Sequence, residues 1–262
     1  MRPWTLSGPT LRGVAGTVSF LLLWEAIARS GFVDATMLPP VTAVVNATVQ
    51  LFLSGALIKH ITVSVQRALL GFGIGSLFGV VLGVATARVT LFRDLTEPII
   101  QMFRAIPSIA FVPVAIFWFG LGETSKLFLI AWGVFFPVWV NTFLGVRDVN
   151  PLVLRAAMSL GASGRQLLYH VVLPAAMPFV LAGLRISLSV GFVCLVAAEI
   201  SGAVFGVGYL IQLSQMVYRV DQMFVGLIFL GLLGFLADRL FVLVVGKLFP
   251  WYGAEQRAAH DT

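Results

Sequence analysis

The sequence predicts an all-α polytopic membrane protein with about six transmembrane helices. Of its 262 residues, 59% are hydrophobic and only 11% are charged, whereas soluble domains are about 45–50% apolar and about 25% charged. The mean hydropathy is +1.00. A water-soluble fold of this size has too much solvent-facing surface to hide so many apolar side chains.

Six stretches are long and apolar enough to cross a bilayer as helices, which takes about 20 residues. They cover residues 12–30, 60–87, 98–119, 125–146, 175–200 and 223–246. The first has an alternative interpretation, because basic residues precede a short apolar run and Ala26-Ile27-Ala28 resembles a signal-peptidase site. We expect this stretch to be retained as a helix, and the mass of the mature N-terminus would decide between the two.

Between the first two spans, residues 31–58 contain Leu38-Pro39-Pro40 and then a moderately apolar run over 41–53. Proline suits the beginning of a helix. This segment therefore predicts a short surface helix lying along the membrane. An ordered linker and a docking element remain open as its role.

The distribution of Lys and Arg predicts that both termini are cytoplasmic, because these residues concentrate in cytoplasmic loops. In that orientation, eleven of the seventeen Lys and Arg lie on the cytoplasmic side, five lie on the opposite side, and Arg239 lies within the last span. The eleven are Arg2, Arg12, Arg88, Arg93, Arg104, Arg147, Arg155, Arg165, Arg185, Lys247 and Arg257. The five are Arg29, Lys59, Arg67, Lys126 and Arg219.

Small residues recur every four positions in the second span, at Gly71, Gly75, Gly79 and Gly83. On a helix this spacing gives a stripe without side chains, and such stripes allow helices in lipid to approach closely. The fifth span repeats the pattern at Gly183, Ser187 and Gly191. Both stripes predict tight helix–helix contacts.

The sequence contains no complete motif for nucleotide binding or catalysis. The stretch Gly120–Lys126 lacks the GxxxxGK[ST] order of a phosphate-binding loop, and Gly71-Phe72-Gly73-Ile74-Gly75 lies inside a span. The histidines are far apart, no HExxH motif is present, and Cys194 stands alone as a small packing residue. The scattered basic residues indicate membrane topology and no nucleic-acid partner.

Residues 150–174 interrupt the apolar pattern with a polar, glycine-punctuated segment. Asn150 suits a helix N-cap and Pro151 suits the first helical position. The helix is predicted to continue through Leu160 and to end at Gly161, since glycine tolerates the left-handed conformation that ends helices.

A capping-box pattern at Ser163 and Gln166 predicts a second short helix over 164–171, after which Pro174 begins the next span. The pair of helices would present small residues outward, as a surface for a partner. The alternative is an inert amphipathic loop.

This segment resembles the EAA loop of ABC importer permeases, whose pattern is Glu-Ala-Ala, three residues, Gly, nine residues and Ile-x-Leu-Pro. In this chain Arg155-Ala156-Ala157, Gly161 and Val171-Val172-Leu173-Pro174 follow the same spacing. Two identities differ, since Arg155 replaces the usual glutamate and Val171 replaces isoleucine.

Further stretches resemble the taurine, alkanesulfonate and nitrate-type permeases, and the similarity covers most of residues 35–252. The stretch Trp118–Lys126 matches their WFGxGExSK signature. The other matching stretches are Leu38-Pro39-Pro40, Arg104-x-x-Pro107, Gly183-Leu184-Arg185, Ala198-Glu199, Gly206-Val207-Gly208 and Pro250-Trp251.

The resemblance implies a type I ABC importer permease fold in the bacterial inner membrane. Two permease copies would form the pore, two cytoplasmic ABC ATPase subunits would bind ATP and Mg, and a periplasmic or lipid-anchored binding protein would deliver the substrate. This chain would then be no enzyme and would hold no cofactor. The residues implied in ATPase coupling are Arg155, Ala156, Ala157, Ser159, Gly161, Ala162, Arg165, Leu173 and Pro174.

The implied organisation is a first helix with a periplasmic amphipathic segment over 1–58, a core permease domain over 59–249 with the coupling helix at 150–174, and a cytoplasmic tail over 250–262. Two glycine turns on the periplasmic side are candidates for docking the binding protein, although they would equally serve to close helix hairpins. Their residues are Gly120, Gly122, Glu123, Gly206 and Gly208.

Ionisable residues in or near the spans are candidates for the translocation pathway, because charges in lipid are costly and often functional. These are Arg104, Arg185 and Glu199, with Arg104 the best candidate for an anionic substrate, although an arginine near a membrane face can also snorkel. Asp238 and Arg239 are adjacent and point to different helix faces, so they are not expected to pair.

Two other classes compete with this interpretation. An ion-coupled secondary transporter would usually show an inverted repeat, which the sequence lacks, and a membrane-embedded enzyme would need a catalytic cluster. The substrate predicted from the resemblance is a small anion, with an organosulfonate first and nitrate, bicarbonate or a vitamin precursor as alternatives.

Overall fold

The described chain is built from helices joined by short turns. A computed structural model describes residues 8–34 and 37–249. Its helices are α1 (Gly8–Arg29), α2 (Val41–Leu53), α3 (Ala56–Arg88), α4 (Thr90–Arg104), α5 (Val112–Phe119), α6 (Glu123–Arg147), α7 (Pro151–Ser159), α8 (Gly164–Leu167), α9 (Leu173–Ile200), α10 (Val207–Met216) and α11 (Val220–Leu248). The predictions for Arg2, Arg257, Pro250-Trp251 and the tail 250–262 lie outside the described residues.

By length and apolarity, five helical segments of the described chain can each span a membrane. A sixth candidate is the pair α4 and α5, which are bent by 93° relative to each other. The predicted all-α architecture with about six spans is therefore confirmed. The five segments are Leu11–Arg29, Ala56–Arg88, Glu123–Arg147, Gly164–Ile200 and Val220–Leu248.

The span predicted over 98–119 is broken in the structure. The helix α4 ends at Arg104, and a 3₁₀ turn at Ser108–Phe111 leads into α5. Pro107 explains the break, because its ring disfavours the helical conformation of the residue before it and its nitrogen cannot donate to the preceding turn.

The glycine stripe of α3 lies directly against α6, as predicted. The contacts pair Gly71 with Ile130, Gly75 with Val134, Gly79 with Val138 and Gly83 with Thr142. A Cβ atom added to Gly79 would lie 2.8 Å from Cβ of Val138, which is closer than carbon atoms pack. Since both residue numbers rise together, α3 and α6 run parallel.

The second predicted stripe is also buried, in α9 against α6. A Cβ atom on Gly183 would lie 2.7 Å from Cβ of Asn141, and Gly145 meets Phe179 in the same way. Here one residue number falls as the other rises, so α9 runs antiparallel to α6.

This register fixes the two ends of the bundle. The beginnings of α3 and α6 and the end of α9 lie together with α10, and we call this the α10 end. The opposite end carries α7, and we call it the α7 end. Because α3 and α6 both begin at the α10 end, the broken pair α4 and α5 must bring the chain back between them.

The helix predicted over 164–171 is present, and α9 begins at Leu173 with Pro174 in its first turn, but the two are not separate as predicted. Residues Gly164–Ile200 form one continuous helical run, in which a wide π turn at Leu168–Val172 joins α8 to α9. The wide turn accommodates Pro174, which has no N–H to donate and whose ring would clash with the carbonyl of His170 in a regular α-helix.

The predicted short helix before the second span is present as α2, which begins directly after Pro40. Its Val44 and Ala47 are buried in a cluster with Leu57, Leu210 and Val225 of α3, α10 and α11, in that order. The helix α2 is thus packed onto the α10 end. Its orientation along the membrane stays a prediction.

Candidate functional site

The segment α7–α8 is built as a rigid projection at the α7 end. Oδ1 of Asn150 accepts a hydrogen bond of 2.9 Å from the backbone N–H of Leu152, which caps α7. Gly161 adopts φ +82°, the left-handed conformation that ends the helix. The backbone N–H of Ser163 donates to Oε1 of Gln166 over 2.8 Å, and the reciprocal bond completes the predicted capping box.

One face of α7 anchors this projection to the bundle. Leu154 and Ala157 pack against a buried cluster that includes Val146 at the end of α6 and Val172 before α9. This packing attaches α7 to both of these helices.

The other face of the α7–α8 segment is open. Leu160 is 89% exposed and Leu152 is 70% exposed, both on a projection that the described chain does not cover. Of the residues predicted to couple to an ATPase, Arg155, Ala156, Ser159, Gly161, Arg165 and Pro174 are exposed, while Ala157, Ala162 and Leu173 are partly buried.

At the α10 end, Arg67 of α3 joins three separate parts of the chain. Its Nε and Nη2 atoms donate to the two carboxylate oxygens of Glu123 over 2.7 and 2.6 Å. Its Nη1 atom donates to Oε1 of Glu199 over 3.0 Å and to the backbone carbonyl of Phe205 over 2.6 Å. We call Arg67, Glu123 and Glu199, with the groups bonded to them, the α10-end ion cluster.

Glu199 is fully buried and its other hydrogen bonds come from neutral donors. The Ser64 hydroxyl donates to its Oε1 over 2.7 Å, and the backbone N–H of Gly208 donates to its Oε2 over 2.8 Å. A buried carboxylate with this many partners is fully compensated, and it fixes the turn between α9 and α10 to α3.

The α10-end ion cluster was not predicted from the sequence, although a signal for it exists. His60, Ser64 and Arg67 continue the helical face of Gly71 and of the glycine stripe, at spacings of four, three and four residues. A charge on a packing face requires an internal partner. Glu199, at the end of an antiparallel span, is positioned to supply it.

The predicted docking turns differ in their exposure. Gly120 and Gly122 are exposed, and the Glu123 side chain is 61% exposed although it binds Arg67. Gly206 and Gly208 are instead buried against Glu199, where a side chain would collide with the carboxylate. The structure thus gives these two glycines a packing role, and the docking of a binding protein stays a prediction.

The three candidate pathway residues occupy three different environments. Glu199 belongs to the buried ion cluster. Arg185 forms an ion pair with Asp238 of α11, with Nε 2.8 Å from Oδ1. Arg104 lies exposed at the end of α4 and lines a cavity. The pathway assignment itself stays a prediction.

This helical bundle, with a broken span and a projecting α7, has the fold of an ABC transporter permease. A chain of the MetNI methionine ABC transporter, solved in inward-facing conformations, matches it with a TM-score of 0.62 over 73% of this chain and 95% of that chain. The identity is 18%, so this likeness concerns the fold alone.

Sequence comparison then defines the family. The profile described as "Binding-protein-dependent transport system inner membrane component" matches residues 75–249. The putative aliphatic sulfonates transport permease protein of Bacillus subtilis is 37% identical over 92% of this chain and 87% of its own length. The taurine transport system permease protein of Escherichia coli is 34% identical over 97% and 94%. The chain belongs to this family of ABC transporter permeases.

Proposed function

We propose that this chain is the transmembrane subunit of an ATP-driven importer for a small anion, with taurine or another organosulfonate as the leading substrate. The observation that carries the proposal is the α7–α8 projection, which combines the EAA spacing with an exposed surface and a rigid attachment to α6 and α9. The sulfonate and taurine names of two relatives support the substrate class.

The projection suits coupling to ATPase subunits for a mechanical reason. An ATPase that docks on α7 and α8 can displace both helices, and the anchored face passes the displacement to α6 and to the continuous run from Gly164 to Ile200. ATP and Mg would be bound by the partner subunits. Binding of nucleotide can drive transport only if the partner binds one arrangement of the permease better than the other.

A second copy of the chain is proposed to complete the pore. Arg104 is exposed, and its neighbour Phe103 packs against Trp132, near the middle of α6, with ring centroids 5.6 Å apart. A guanidinium that faces lipid at this depth is costly. A second copy facing the break between α4 and α5 would place Arg104 in a shared, water-filled lumen.

The direction of transport rests on the predicted orientation, with α7 in the cytoplasm and the α10 end outside. The exposed turn around Gly120 and Glu123 then faces the compartment of a solute-binding protein. Nitrate, bicarbonate and a vitamin precursor remain the alternative cargoes for the same machinery.

Uptake in liposomes tests this function. The full chain is reconstituted with its ATPase subunits, its binding protein is added outside, and entry of radiolabelled taurine is measured. We expect uptake that requires ATP inside and the binding protein outside, and that does not respond to an ion gradient. Uptake driven by a gradient without ATP would contradict the proposal, and screening the binding protein against the other anions would correct the substrate.

A further inference from the structure

A cavity of about 380 Å³ lies where α4 and α5 separate. The break contributes Arg104 and Ser108, the middle of α6 contributes Pro137 and Asn141, and α9 contributes Val190. Irregular backbone at membrane depth is tolerated where it is buried in protein or lines a water-filled cavity. The break between α4 and α5 therefore lies where irregular backbone can be tolerated, along the wall of this cavity.

Arg104 carries a charge that the described residues do not neutralise. Three other cations of the bundle have partners, since Arg67 binds two carboxylates, Arg185 binds Asp238, and Nζ of Lys126 donates to the carbonyls of Leu121 and Gly122. No hydrogen bond or ion pair within the described chain holds the Arg104 guanidinium. An uncompensated cation on a cavity wall is suited to a bound anion.

The remaining polar groups of the cavity are neutral. Nδ2 of Asn141 donates one hydrogen to the Pro137 carbonyl over 2.8 Å, which leaves its second N–H free. Ser108 contributes a neutral hydroxyl to the lining. None of the described lining residues is acidic, so Arg104 gives the cavity a net charge that favours anions over cations.

We propose that this cavity is an oxyanion subsite of the translocation pathway, in which Arg104 supplies the charge and Asn141 a neutral hydrogen-bond donor. The planar guanidinium matches the paired oxygens of a sulfonate. A single charge in an open cavity holds such a group only briefly, as transport requires, because a passing ligand must also leave. The identity of the ligand as a sulfonate rests on the proposed function, whereas the preference for anions does not.

The test measures the electrostatic preference of the cavity with charged thiol reagents. Cys194 is the one cysteine of the chain, so Cys194→Ala gives a background into which Val140→Cys places a reporter on the cavity wall. Membrane vesicles holding the full chain and its partner subunits are treated with the anionic sulfonatoethyl or the cationic trimethylammonioethyl methanethiosulfonate. The measured quantity is the ratio of the labelling rates of the anionic and the cationic reagent. We expect this ratio to be about tenfold higher at Val140→Cys than for a free thiol in solution, which is the effect of one unit charge a few ångströms away.

Variants of Arg104 then assign the preference. Arg104→Gln should abolish the preference for the anionic reagent, and Arg104→Lys should keep most of it. A control reporter in the exposed turn, Gly55→Cys, should be labelled at the same rates whichever residue stands at position 104. Ethanesulfonate should slow the labelling of Val140→Cys when Arg104 is unchanged and should have no effect when Arg104→Gln is also present. A second reporter, Ser108→Cys, replaces Val140→Cys if that variant does not fold.

An equal rate for the two reagents, a preference that survives Arg104→Gln, or no labelling at either reporter would overturn the subsite. The outcome is independent of transport. If the anion preference is found but ATP-driven uptake is not, the subsite stands and the proposed function is wrong. If uptake is normal but the preference is absent, the proposed function stands and the subsite is wrong.

Discussion

At the scale of single residues, Gly161 offers a test of the projection at the α7 end. Its φ of +82° and its open surroundings mean that a large side chain there fills no internal space but blocks the exposed face. We predict that Gly161→Trp lowers ATP-driven uptake and the association of the ATPase subunits by at least about tenfold, because about 1.4 kcal/mol of lost binding is sufficient. Co-purification with the ATPase measures the effect.

The control for this variant is Gly55→Trp. Gly55 has a similar φ of +73° and equally open surroundings, but it lies in the turn between α2 and α3 at the α10 end. Both variants carry the same backbone strain, so only a contact made by the α7–α8 segment separates them. Equal behaviour of the two would remove Gly161 from the coupling surface.

The α10-end ion cluster gives a second residue-scale prediction, on stability. Arg67→Met leaves the carboxylate of Glu199 buried without its cation, which should cost about 3–5 kcal/mol. The double variant Arg67→Met/Glu199→Gln removes both charges and should recover part of this loss. Thermal unfolding of the detergent-solubilised protein measures both.

The exposed pair of Arg93 and Asp94 is the control for this series, because surface ion pairs contribute at most about 1 kcal/mol. Arg93→Gln should leave the unfolding temperature nearly unchanged. If Arg67→Met behaved like Arg93→Gln, the ion cluster would not hold the α10 end together.

The residue scale also shows where sequence reasoning ends. Capping residues such as Asn150 and Ser163 act within a few positions of themselves, so their roles followed from the sequence and were confirmed. The partners of Arg67 lie 56 and 132 residues away along the chain. Such partners are known only once the register of α3, α6 and α9 is known.

At the scale of elements, the contact between α3 and α6 depends on the absence of side chains. Gly79→Leu would place its first carbon 2.8 Å from Val138 and force the two helices apart. Overpacking costs about 1–3 kcal/mol and often more where backbones touch. We predict a marked loss of folded protein from the membrane, measured by size-exclusion chromatography in detergent.

Gly73 supplies the matched control, because it lies in the same helix and a Cβ atom added there meets nothing within 4 Å. Gly73→Leu should give a yield and an elution profile close to those of the unchanged protein. Similar losses for both variants would mean that helix propensity or insertion, and not the contact with α6, determines the result.

Hydrophobic length identified the spans, yet it could not show how the elements are joined. The break at Ala105–Pro107 and the continuous run through Pro174 both involve prolines, and their outcomes are opposite. A proline can end a helix where the freed backbone groups find other hydrogen-bond partners. A helix can instead continue past a proline through a wide π turn where the packing around it keeps it helical. Pro174 lies two residues after Val172, which is fully buried, whereas the residues around Pro107 line a cavity.

At the scale of the whole molecule, the parallel contact of α3 with α6 and the antiparallel contact of α6 with α9 form one packed bundle that extends from the α7 end to the α10 end. The helices α6 and α9 connect the anchored face of α7 at one end with the ion cluster at the other. Because the ion cluster ties the turns before α6 and after α9 to α3, a force applied at α7 acts on a unit that is held together at its far end. The cavity at Arg104 lies between the two ends, where relative movement of α4, α6 and α9 would change its shape.

The orientation of this bundle in the membrane gives the last prediction. The excess of Lys and Arg at the α7 end predicts that this end is cytoplasmic, because translocating these charged loops is unfavourable. In a Cys194→Ala background, Ser159→Cys marks the α7 end and Ser54→Cys marks the α10 end, and both positions are exposed. A membrane-impermeant maleimide should label Ser54→Cys in intact spheroplasts and Ser159→Cys only after permeabilisation. The reverse pattern would place α7 where no ATP is available, and the proposed coupling to ATPase subunits would then be wrong together with the direction of transport.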